Sequence, residues 1–138
     1  MPHGMTEYFR GVNGGDLAGA RTGLCDDFVL EDRRRTGMGH LEGGDAYIAS
    51  VAVAYELTGE LHVRPLYTAA IAPHGRVVMI RVAGTNTEGG AFESYCAALV
   101  LYRDERIASF EFFEPEELDA ALARLAECAG AVEATKPR

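Results

Sequence analysis

Residues 91–113 read AFESYCAALVLYRDERIASFEFF, two strand-like runs parted only by Asp104-Glu105. A separator that short cannot hold a crossover helix, so the two runs pair antiparallel. The pattern continues upstream. Strand-like runs at Leu61–Ala72 and Arg76–Asn86 are divided from each other by Pro73-His74-Gly75, and from Ala91 by a segment ending in Glu88-Gly89-Gly90, both turn-forming. Residues 61–113 therefore spell a four-strand antiparallel meander.

Helical patterns flank the meander. Downstream, Glu114-Pro115-Glu116-Glu117 places acids and a proline in a first helical turn, and Leu118, Leu122 and Leu125 then share one face to about Cys128. Upstream, Ile48, Val51, Ala52 and Tyr55 mark one face of a helix over Asp45–Leu57, closed by Thr58-Gly59. Before it, Phe28–Arg34 alternates as a strand, with Phe28, Leu30 and Asp32 on one face, and a short extended piece surrounds His40 and Leu41. The chain opens with two short helices, one capped by Thr6 and carrying Tyr8, Phe9 and Val12, the other capped by Asp16 and running to about Leu24. Residues 1–5 and 129–138 are expected to be loose ends.

A length of 138 residues, 48% hydrophobic and 25% charged, fits a single self-folding domain over 1–138. Its net charge of −8 argues against nucleic acid or an anionic membrane as partner. Three cysteines without metal-ligand spacing indicate neither a disulfide framework nor a metal site, and a reducing cytoplasm suits them. No run is long and apolar enough to span a membrane. The glycine clusters lack the lysine and the strand–loop–helix setting of a phosphate loop, which excludes a nucleoside-triphosphate enzyme.

Three segments carry a resemblance. Cys25-Asp26-Asp27-Phe28-Val29-Leu30-Glu31-Asp32, Leu41-Glu42-Gly43-Gly44-Asp45-Ala46-Tyr47 and Arg106 through Leu122 resemble the first strand, a helix start and the ending of actinobacterial SnoaL-like domains, within the nuclear-transport-factor-2-like superfamily. The resemblance implies an α+β cone, cystatin-like, in which a curved antiparallel sheet wraps helices around one pocket. Superfamily members include isomerases, cyclases, dehydratases, epoxide hydrolases and proteins without catalysis, so the fold leaves function open.

Asp32 is the most informative position. On an inward strand face, burial would raise its pKa and suit it to proton transfer, and Leu30-Glu31-Asp32 resembles the segment that holds the general base of ketosteroid isomerases. The competing reading is a structural acid paired with Arg33, Arg34 or another arginine at the cone mouth. Tyr8 stands where the resemblance places an oxyanion donor, and the competing reading is a plain core aromatic. At the third meander strand Ala98 or Leu99 replaces the isomerases' acid, a departure from that activity. Phe28, Leu30, His40, Tyr47, Tyr55 and Arg81 complete the candidate ligand-binding set. Glu93 and Tyr95 share one face of their strand, Cys96 and Ala98 the other, and the pattern does not say which is inward.

These readings predict a cofactor-free pocket for a small, apolar, oxygenated carbonyl compound, with Asp32 as base and Tyr8 polarising the carbonyl in any reaction. The alternative is a non-enzymatic ligand-binding or dimerisation module. Homodimerisation through the sheet is expected, because Val77, Met79 or Val100 would otherwise lie bare on its outer face.

Overall fold

The computed structural model describes residues 2–86 and 88–135. Helices α1 (His3–Gly14) and α2 (Leu17–Thr22) precede strands β1 (Leu24–Asp32) and β2 (Gly39–Glu42), and α3 (Gly44–Leu57) leads into β3 (Thr58–Ala72), β4 (Gly75–Asn86), β5 (Ala91–Arg103) and β6 (Arg106–Phe113). A single 3-10 turn over Pro115–Glu117 starts the closing helix, α4 (Leu118–Thr135). The six strands form one curved sheet in the order β2-β1-β6-β5-β4-β3. The expected meander is its antiparallel core, but β1 joins β6 in parallel. Sequence proximity could not reveal that pairing, since the two strands are separated by most of the chain.

Alternation along β5 distributes the core. Cys96, Ala98 and Val100 face inward with Phe28, Leu30 and Phe110, under α1 and α3. Ala97 and Leu99 face outward into a second cluster with Val77, Met79, Ala121, Leu125 and Cys128. Around Val77, Met79 and Leu99 the outer face is therefore covered by α4 of the same chain, while Tyr67 and Tyr95 on that face stay exposed. Val77, Met79 and Val100, expected to need a partner subunit, are buried, Val100 on the inner side. These three residues therefore supply no apolar patch for a sheet-to-sheet dimer.

The ends and boundaries also differ from expectation. Helix α1 starts before Thr6 because Met5 packs into the inner core, and the Gly4 amide donates to the Glu105 carbonyl at 2.8 Å. A Cβ on Gly4 would come within 2.6 to 2.8 Å of backbone at Gly23, Glu105 and Arg106, so only glycine allows that approach. Strand β1 begins at Leu24, ahead of the expected Phe28, since Leu24 pairs with Ile107 and the Ile107 amide donates to the Gly23 carbonyl. Helix α4 continues past Cys128 to Thr135, and residues 136–138 of the expected loose end lie outside the described residues.

Candidate functional site

Helical and strand periodicities together build a cavity of about 430 Å³ between the inner sheet face, α1 and α3. Tyr8 and Val12, one turn apart, and Tyr47, Val51 and Ala54 on a single face of α3 form its helical side. Every second residue of the strands forms the other: Ile80 and Val82 on β4, Phe92, Ser94 and Cys96 on β5, Phe110 and Phe112 on β6. The segment between β1 and β2 lends Arg34, Thr36 and Met38 at the rim. The lining is thus mostly apolar, with polar groups from few positions.

Asp32 organises that rim. Its carboxylate is fully inaccessible, and Arg34 approaches it side-on, Nε donating to Oδ1 at 2.9 Å and Nη2 to Oδ2 at 2.7 Å. The backbone amides of Arg34 and Met38 donate to the same two oxygens at 3.2 and 3.0 Å. Four donors thus fold residues 33–38 back over the strand end. Gly37 lies so close that a Cβ there would stand 2.3 Å from the carboxyl carbon. Burial pushes the Asp32 pKa up, but the Arg34 guanidinium and the Met38 amide outweigh it and hold the acid below its usual value. This corrects the expected rise. Asp32 itself does not line the cavity; Arg34 does, its guanidinium 5.3 Å from the centre of the Phe112 ring.

Deeper in, the Tyr8 and Tyr47 hydroxyls share a hydrogen bond of 2.6 Å. Both rings belong to an aromatic cluster around Phe110. Burial raises both phenol pKa values, so both are neutral donors. The Cys96 thiol is pushed up to about 11 by burial and is a neutral thiol as well. Tyr55 is close enough to influence Tyr8 electrostatically, and its buried hydroxyl lacks a hydrogen-bond partner among the described residues.

Other candidates lie elsewhere. Phe28 and Leu30 are fully buried behind the lining, in core packing, and Tyr55 also stands outside it. His40 is exposed on β2 between Glu31 and Glu42. Arg81 points outward between the inward Ile80 and Val82 and pairs with Glu93 at 2.9 Å. Glu111 is a buried structural acid on the outer face, held by Arg33 and Arg124. His74 contacts the Leu125 carbonyl at 2.8 Å, tying the β3–β4 turn to α4. Among the described residues no group of three His, Cys, Asp or Glu side chains could hold a metal ion, and no helix is long and apolar enough to cross a membrane.

Sequence reasoning named Arg34 only as a possible partner of Asp32, left the facing of Cys96 open and did not name Ser94. The i, i+2 spacing of Asp32 and Arg34 carries a signal once the strand is known to end at Asp32. The facing of Ser94 and Cys96 follows once the β5 face is known.

No protein-family model and no curated protein matches the sequence. Solved structures do match. TerC, co-crystallised with polyporic acid, is 16% identical, with a TM-score of 0.69 over 90% of this chain and 95% of that one. Rv0760c from Mycobacterium tuberculosis, in complex with estradiol-17beta-hemisuccinate, is 16% identical, with a TM-score of 0.69 over 83% of this chain and 93% of that one. A nuclear-transport-factor-2-like protein of unknown function from Burkholderia pseudomallei is 20% identical, with a TM-score of 0.67 over 88% and 93%. At such identities the likeness is one of fold, and this chain has the nuclear-transport-factor-2-like fold.

Proposed function

We propose that this chain binds a small, largely apolar molecule bearing oxygen functions inside the cone. The observation that carries this reading is the cavity of about 430 Å³, a size suited to a small ligand, with mostly aliphatic and aromatic walls and polar groups from Arg34, the Tyr8–Tyr47 pair, Ser94 and the hydroxyl residues Thr36, Ser50 and Thr58. That two structures of the same fold hold polyporic acid and a steroid hemisuccinate supports it.

Binding is favoured over proton abstraction by Asp32. A base must meet the proton it removes, but Asp32 is outside the cavity lining and its oxygens are occupied by four donors from Arg34 and Met38. A lowered pKa further weakens a carboxylate as a base near neutral pH.

Titration with N-phenyl-1-naphthylamine, a neutral apolar fluorophore, tests the reading. The wild type should bind it with enhanced fluorescence. Val82→Trp, which fills the cavity from its β4 wall, should abolish binding while far-UV circular dichroism is unchanged. No binding by the wild type, or equal binding by a folded Val82→Trp protein, would overturn the proposal.

A further inference from the structure

The polar end of the cavity has an imbalance that selects among ligands. A guanidinium carries five N–H donors in a planar fork. Asp32 takes one from Nε and one from Nη2 of Arg34. Of the remaining three donors two lie along the adjoining Nη1/Nη2 edge, and none meets an acceptor among the described residues. Arg34 lines the cavity with a side chain only 19% accessible, and its plane is fixed by Asp32 and backed by Phe112.

Neighbouring groups add donors. The two phenols make one hydrogen bond between them, so one hydroxyl proton of the pair remains uncommitted. Of the acids whose charge reaches Arg34, Asp32 is saturated and withdrawn behind it, and Glu114 lies outside the cavity lining. Donors in a mostly apolar chamber cost free energy until acceptors meet them.

We propose that the ligand carries a carboxylate, or another planar anion presenting two oxygens, and that the outer edge of Arg34 grips it. The inference rests on the binding reading above and names the head group of that ligand. Asp32 is then a positioning residue: by occupying one edge of the guanidinium it orients the other toward the cavity. Two parallel N–H···O bonds on that edge match a carboxylate and reject an amide, whose NH₂ would meet another donor. The apolar body of the ligand would lie against Val82, Val51 and Phe92.

Displacement of bound N-phenyl-1-naphthylamine by 2-naphthoate and by its near-isostere 2-naphthamide tests this. For the wild type the acid should compete roughly 10- to 100-fold better than the amide, the range typical of a hydrogen-bonded charge. In the double variant Asp32→Asn with Arg34→Gln, which strands no charge, the acid-to-amide ratio should fall to about one. Arg34→Lys, retaining charge without the fork, should give an intermediate ratio. An amide that competes as well as the acid in the wild type would overturn the assignment. So would an acid that fails to displace a bound fluorophore, or a ratio unchanged in both variants. Failure of the fluorophore itself to bind would instead remove the pocket reading, and this inference with it.

Discussion

Replacing Asp32 by Asn separates a structural acid from a catalytic one. The carboxylate is wholly inaccessible and accepts four N–H donors, two from the Arg34 side chain and one each from the Arg34 and Met38 amides. An amide keeps one oxygen and turns its NH₂ toward donors, so part of the set is left unmet whichever way it rotates. Stranding one member of a fully buried ion pair costs about 3–5 kcal/mol. The Arg34 side chain is 19% accessible and can relax toward water, which lowers the expectation to about 2–4 kcal/mol. Urea unfolding followed by far-UV circular dichroism at neutral pH measures it.

The pH dependence supplies an independent check on the same residue. The Asp32 pKa is lower in the fold than in the unfolded chain, so its contribution is complete above the ordinary carboxylate pKa. It is lost as the pH falls through the lowered folded value, where protonation breaks the Arg34 pair. The gap between wild type and Asp32→Asn should therefore shrink on acidification below about pH 4. An unchanged urea midpoint at neutral pH, or a gap that widens in acid, would refute the reasoning. Loss of a proton-transfer activity without loss of stability would restore Asp32 as a base.

His40 should behave in the opposite sense. Glu42 and Glu31 raise its pKa, so its stabilisation is complete below the ordinary histidine value and is lost as the pH rises through the raised one. Thermal melts over about pH 5 to 9 should show a wild-type advantage over His40→Gln in acid that fades toward alkali, and a constant difference would count against it. Leu125→Ala tests the covering of the outer sheet face. Leu125 is 6% exposed among Val77, Met79 and Leu99, and its truncation should lower stability by ~2–4 kcal/mol in urea unfolding. A loss under about 0.5 kcal/mol would mean that α4 is not packed as described.

Much of this molecule is legible locally. Helix and strand periods and the short separators define the elements, because each depends on residues a few positions apart. Alternation also put Asp32 on the face of Phe28 and Leu30, both now in the inner core. A period of two divides a strand into two faces without saying which is inside. Both faces of β5 are apolar around Cys96 to Leu99, so only the placement of α4 outside and α1 and α3 inside decided that Cys96 and Ser94 face the cavity. Distance along the chain hid the parallel pairing of β1 with β6, and with it the burial of Leu24 against Ile107. The partner of Asp32 was undetermined for a related reason. Arg33, Arg34 or another arginine could have paired with it, and the choice depends on the course of the chain after β1. There Asp32 gathers residues 33–38 around itself, sending Arg33 outward to Glu111 and Arg34 inward to the cavity. Local sequence therefore determined the elements and the inward acid, whereas the long-range packing of α4, β1 and the 33–38 segment decided what that acid holds and what the cavity presents to a ligand.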